Sequence, residues 1–281
     1  MAYPFAPHDV GRYPIANGQA YGLNIERQMP IEECGNMLIM AAAVCLAEGK
    51  SDFASEHWQL LTQWAEYLKE NGMDPGKQLC TDDFGGHLAH NTNLAVKAII
   101  GIGSYGLLCG MQGMEQEKDE HLRLAREMAV QWEEMACDGD HYRLAFDVPD
   151  SWSLKYNLVW DTIFGLNLFA PEIRRKETAY YLAKRNRYGT PLDNRKTYAK
   201  ADWLLWAATL ADKREDFEEL VNPLWDFLHE STPRVPFTDW YYTIDGRVVD
   251  MINRSVVGGL FIKILSDKGS LANERESLMT L

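Results

Sequence analysis

Two adjacent carboxylate pairs, Glu32-Glu33 and Asp82-Asp83, stand in polar segments that run straight into apolar stretches. Hydrolysis needs one carboxylate to activate water and a second group to protonate the departing amine or alcohol. Acids gathered at helix starts are therefore the first catalytic candidates. Adjacent residues rarely face one site, and acids in a first helical turn also serve as caps, so each acid carries both readings.

Around these pairs lie residues suited to binding a small polar substrate: His8, Asp9, His87, His90, Trp160, Asp161, Asp193, Arg195, Asp239, Trp240 and Arg254, with Lys155 and Tyr156 beside them. A guanidinium grips a carboxylate bidentately, which assigns Arg195 and Arg254 to substrate binding. Salt bridges to Asp193 and Asp239 are the structural alternative, and both readings stay open. His87 and His90 are one helical turn apart. With Asp82 or Asp83 they have metal-ligand character, but the reading adopted is that of loop histidines that position a carboxylate. No metal and no cofactor is assigned. Cys34 and Cys80 lie in polar loops without a defined histidine partner for nucleophilic work. Zinc-protease, serine-acylase, dinucleotide and P-loop patterns do not occur.

These groups need elements to position them, and the chain repeats one device five times. A polar loop (30–36, 81–91, 151–161, 188–195, 238–254) precedes a helix apolar on nearly every side (37–46, 94–108, 158–169, 203–210, 256–265). A helix apolar all round is buried all round. Between these come one-sided helices: His57, Leu60, Leu61, Trp64, Ala65 and Leu68 fall on one stripe, as do Phe217, Leu220, Val221, Leu224, Trp225 and Leu228. Leu122 to Met135 forms a third and Ile173 to Leu182 a weaker fourth. Alternating buried and amphipathic helices predict an all-α toroid of helical hairpins. Its inner helices start on one rim, where the five loops converge, and the ring read here is incomplete, with about nine or ten helices. Residues 1–30 read as an irregular lead-in, Asp138-Gly139-Asp140 as a turn, Asp245-Gly246 as the turn of a short hairpin, and 267–281 as a tail. The whole is read as a single domain.

The 281 residues carry a net charge of −13 with no basic block. Nucleic acid and anionic membrane surfaces need Lys and Arg to replace counterions, so a small-molecule substrate is the expected partner. The most apolar helices are interrupted by Asn93, Lys97, Asp202 and Lys263, which argues against spanning segments. Five widely spaced cysteines form neither a disulfide framework nor a zinc ribbon. No basic-then-apolar leader precedes the first loop.

Six motifs in order carry a resemblance: 3–14 (YPFAPHDVGRYP), 29–37 (MPIEECGNM), 79–91 (LCTDDFGGHLAHN), 155–161 (KYNLVWD), 188–198 (YGTPLDNRKTY) and 238–241 (TDWY). Together they resemble the glutaminase A family over roughly residues 3–265. The resemblance implies a helical domain similar to the six-hairpin glycosidase barrels, hydrolysis of L-glutamine to L-glutamate and ammonia, and an exported protein. It also implies that this chain is the C-terminal part of a longer, multidomain protein, or a truncated relative. Separately, an incomplete ring exposes apolar helix faces that a second copy in a homo-oligomer would cover. Three functional readings follow. The rim is an amidase site; or it is a glycosidase site with two carboxylates across a sugar and Trp160 or Trp240 as platforms; or it is an inactive fragment or binding domain.

Overall fold

Pro30 at the first helical position and Glu32 and Glu33 in the first turn are the residues that open a helix: proline presets φ and the acids complement the helix dipole. Helix α1 accordingly runs Pro30–Glu48 and ends at Gly49, whose φ of 68° lets its N–H close on Cys45 and Leu46 carbonyls. The 30–36 segment, read from sequence as a loop, is the first two turns of this helix. The computed structural model describes residues 3–8, 24–80, 86–232, 237–252 and 254–268. They fall into two compact units, one comprising mainly residues up to 135 with 145–147, the other 136–144 and 148–268.

In the first unit α1 is followed by α2 (Asp52–Glu56), α3 (Trp58–Asn71), α4 (Thr92–Met111) and α5 (Glu115–Ala136). Helix α4 starts on Asn91, whose Oδ1 accepts the Leu94 N–H at 3.0 Å, and every residue from Thr92 to Gly106 is buried. It packs along α1, and α3 lies against both. The approach is close enough that a Cβ on Gly101 would stand 3.2 Å from the Gly35 Cα. Helix α5 docks on α4 through Trp132, whose indole N–H donates to the Thr92 carbonyl at 2.8 Å. The alternation of all-apolar and one-sided helices thus matches the expected hairpin pairing here. Helix α1 departs from it on one face: Met40 and Val44 are exposed, and with Phe53, Leu60 and Trp64 they border an apolar groove of about 270 Å³. By length and composition α1 and α4 could each cross a membrane; 56% and 83% of their apolar windows are buried inside the protein.

The second unit opens with a two-residue hairpin, β1 (Cys137–Asp138) with β2 (His141–Tyr142), turned by Gly139. Then come α6 (Val159–Phe164), α7 (Pro171–Ala183), β3 (Tyr198–Lys200), α8 (Ala201–Ala208), α9 (Arg214–Glu230), β4 (Thr238–Tyr242), β5 (Val248–Ile252) and α10 (Ile262–Asp267). The strands form one antiparallel sheet in the order β3-β4-β5. The turn predicted at Asp245-Gly246 joins β4 to β5. Two predicted apolar helices are shorter than expected. Helix α6 stops at Gly165 in the left-handed region, and the Asp161 carboxylate then takes the backbone N–H groups of Leu168 and Phe169 at 3.0 and 3.3 Å, folding 165–169 into a loop. Residues 255–261 form a 3-10 helix before α10, with Phe261 and Ile264 exposed. There Gly259 lies so close to α8 that a Cβ would meet Asp202 and Trp206 at 3.0 Å.

Candidate active site

The first turn of α1 points the two carboxylates to different faces, because neighbours on a helix are about 100° apart. Glu32 points inward and is 1% exposed; its Oε1 receives Lys97 Nζ of α4 at 2.6 Å, and Lys97 itself is 3% exposed. Lys97 also donates to Asn36 Oδ1 at 2.7 Å. Glu33 faces outward, where His8 Nδ1 stands 2.6 Å from its Oε1 and Asn36 Nδ2 lies 3.4 Å from its Oε2. A continuous chain results: His8, Glu33, Asn36, Lys97, Glu32. Its inner end is sealed, while the side chains of His8 and Glu33 each keep 21% of their surface exposed.

His8 is held from a second direction, since its backbone N–H donates to Gln28 Oε1 at 2.8 Å. Gly35, between the acids and Asn36, is required by the lysine: a Cβ there would meet Lys97 Cγ at 2.5 Å. Cys34 accepts the Ala6 N–H, and burial pushes its thiol up to about 12, with the Ala6 hydrogen bond opposing and the Glu33 charge adding to the rise. A protonated buried thiol is a poor nucleophile, so Cys34 holds the lead-in rather than reacting. Cys80 is also buried and accepts from Asn91 Nδ2 at 3.4 Å.

His87 and His90 do not share a ligand. His87 Nε2 meets the Glu26 carbonyl at 2.7 Å, whereas His90 Nδ1 pairs with Asp74 at 2.7 Å, a hydrogen bond that raises the imidazole pKa. Among the described residues no group of three His, Cys, Asp or Glu is placed to hold a metal ion. Asp9, Asp82 and Asp83 lie outside the described residues.

The second unit gathers a different set. Asp239 is fully buried on β4 and pairs with Lys200 of β3 and, at 3.5 Å, with Arg254. Asp202, in the first turn of α8, is buried near the same cations. Burial raises its pKa, opposed by the charges of Lys200 and Arg254 and by the backbone N–H groups of Asp202 and Trp203. An aromatic wall stands alongside: Tyr156 stacks on Trp203 at 4.5 Å, and Trp206 meets Trp203 and Trp160 edge-on. Trp240 contacts Tyr198 edge-on at 5.5 Å.

The remaining sequence candidates brace loops. Asp193 is buried and holds Arg195 twice, through its backbone N–H at 2.7 Å and its guanidinium at 2.5 Å. Asp161 closes the loop after α6. Lys155 is wholly buried, donating to the Tyr142 and Ser153 carbonyls and to Ser153 Oγ. It offsets the nearby Glu177 carboxyl, which burial nonetheless pushes up and which binds the Tyr181 hydroxyl. Sequence reasoning missed Lys97, Asp202 and Gln28 as members of these clusters. Lys97 and Asp202 had a signal: charges inside apolar helices are almost never buried unless paired.

The family model described as the glutaminase A six helical-hairpin domain matches residues 1–264. Glutaminase A of Aspergillus oryzae is 35% identical over 275 residues, which cover 94% of this chain and 39% of that protein. A probable glutaminase of Arthroderma benhamiae is 25% identical over 370 residues, covering 99% and 43% respectively. The chain therefore spans about two fifths of the length of these curated relatives. With hairpin-paired helices, only small sheets among the described residues, and a family match across nearly its whole length, the chain belongs to the glutaminase A six helical-hairpin family.

Proposed function

We propose that this chain is a glutaminase domain that hydrolyses the side-chain amide of L-glutamine to L-glutamate and ammonia, with His8 and Glu33 as its water-activating pair. The names of its relatives support the reaction. The observation that carries the placement is the partly exposed imidazole hydrogen-bonded to a carboxylate whose own position is fixed, through Asn36, by a buried ion pair. A carboxylate on one ring nitrogen orients an imidazole and stabilises the imidazolium formed when its other nitrogen acts as base.

In this reading Nε2 of His8 takes a proton from water as the oxygen adds to the amide carbon. The tetrahedral intermediate carries an oxyanion, favoured by the positive end of the 19-residue α1. Collapse breaks the carbon–nitrogen bond, and the imidazolium returns its proton to the departing ammonia. Glu32 and Lys97 act from behind as positioning residues. Trp160 and Trp240, the platforms of a glycosidase reading, are each engaged edge-on by another aromatic ring, which favours the amidase reading.

The test is ammonia release from L-glutamine by the parent chain and by His8→Asn, each measured also in the corresponding full-length protein. Release by the parent and a drop of about a hundredfold or more in kcat for His8→Asn is the expected result. Unchanged turnover in the variant removes His8 from the mechanism. Absence of release from both parent forms, with hydrolysis of an aryl glycoside instead, overturns the reaction itself.

A further inference from the structure

A cavity of about 1000 Å³ lies in the first unit behind the start of α1, between the Ile25–Arg27 turn, the end of α3 and the 73–78 loop. The proposed hydrolysis does not use it. One lining residue is anomalous. Gln28 is 1% exposed, and its Oε1 accepts the His8 N–H at 2.8 Å, which fixes the orientation of the amide. Its Nε2 is thereby the donor end, and it has no hydrogen-bond partner among the described residues. Leaving a buried donor unmatched costs about 1–3 kcal/mol, so such a group on a cavity wall marks where a ligand acceptor belongs.

The other walls indicate what kind of ligand. The lining is acidic, with Glu26, Glu70 and Asp74 against Lys77, and Asp74 is held by His90 outside the cavity wall. Planar amides recur in Gln28, Asn71 and Gln78, with Gln78 locked by the Ile31 N–H and the Gly76 carbonyl. Tyr67 and Phe5, whose rings are 5.3 Å apart, supply aromatic surface. Carboxylates accept and amides both accept and donate, matching vicinal hydroxyls, while an aromatic face suits the C–H side of a pyranose. The volume is at the upper end of the ~300–1,000 Å³ range of ligand cavities, well beyond one amino acid.

We propose that this cavity is a binding site for a neutral oligosaccharide of about three rings, with a hydroxyl or ring oxygen accepting from Gln28 Nε2. The site is separate from the chemistry assigned to His8 and Glu33, and it stands whether or not that assignment holds. Since Gln28 also holds the His8 backbone, a bound saccharide would stiffen the segment that carries the imidazole.

Isothermal titration of the chain with maltotriose, cellotriose and triacetylchitotriose tests this, with spermidine and trialanine as probes of other ligand classes. Saturable one-to-one binding of at least one trisaccharide is expected, weakened about tenfold or more in Gln28→Leu and in Asn71→Ala. Asn71 is exposed at the end of α3, so its variant retains the fold even where Gln28→Leu does not. Trisaccharide binding that survives both substitutions, no trisaccharide binding up to about 10 mM, or saturable binding of spermidine or trialanine alone would each overturn the proposal.

Discussion

His8 Nδ1 stands 2.6 Å from Glu33 Oε1, joining a residue of the lead-in to the first turn of α1. The pair separates orientation from structure: its partly exposed members contribute little to folding, while the buried Lys97–Glu32 pair behind them cannot lose one member without a large loss of stability. Glu33→Gln keeps shape and one hydrogen-bond acceptor but removes the charge that stabilises an imidazolium. Ammonia release from L-glutamine should then fall by about 10²–10⁴ in kcat, with KM changed far less and the Tm nearly that of the parent. A fall in Tm that accounts for the lost activity would make Glu33 structural.

Lys97→Met leaves the Glu32 side chain buried without its partner, and breaking a buried pair in this way costs about 3–5 kcal/mol. Replacing both members, Glu32→Leu with Lys97→Met, should recover most of that loss, since a buried pair exchanged for apolar groups is often neutral. Gly35→Ala should resemble the single variant, because its Cβ would displace the lysine stem. Urea unfolding of the three variants separates these outcomes; equal losses for the single and double lysine variants would show that packing, not the unpaired carboxylate, sets the cost.

The five cysteines divide by environment. Cys34 and Cys109 are buried, and burial pushes their thiols up to about 12 and about 11. Cys45 and Cys80 are also buried, while Cys137 is exposed on β1. Iodoacetamide at pH 8 should modify one thiol of the folded protein quickly, identifiable by peptide mapping as Cys137, and all five after unfolding. Rapid labelling of Cys34 in the native state would revive it as a nucleophile.

Periodicity made the helices legible: the all-buried Thr92–Met111 and the one-sided Arg214–Glu230 lie within a few residues of the stretches read from the sequence, although Trp225 and Leu228 of the predicted stripe are exposed and Phe227 is buried instead. It failed where a backbone device overrides hydrophobicity. Gly165 and the Asp161 carboxylate cut short an apolar run, and the close approach of Gly259 to Asp202 and Trp206 accompanies a 3-10 helix over 255–261. Site residues were legible as types, not as pairings. The sequence shows that Glu32 and Glu33 are adjacent, but only the phase of α1 decides which meets Lys97 and which meets His8. Likewise Arg195 could have gripped a substrate; the two-residue spacing to Asp193 closes it on its own loop.

Asp202 offers a test in which pH supplies the sign. Burial raises its folded pKa above the usual 3.8, even against Lys200 and Arg254. Ionising it therefore costs the native state more than the unfolded chain: the penalty is absent below pH 3.8 and grows as pH climbs from there toward the folded value. Asp202→Asn removes the charge and should gain stability relative to the parent over that rise, with no gain at pH 3.5. Asp239→Asn should instead lose stability, since Asp239 pairs directly with Lys200 and its loss leaves a buried ammonium uncompensated. Urea midpoints from pH 3.5 to 7.5 for both variants decide the matter. If Asp202→Asn loses stability as pH rises, the carboxylate is ionised and bound by the two cations, and burial does not set the sign of its contribution.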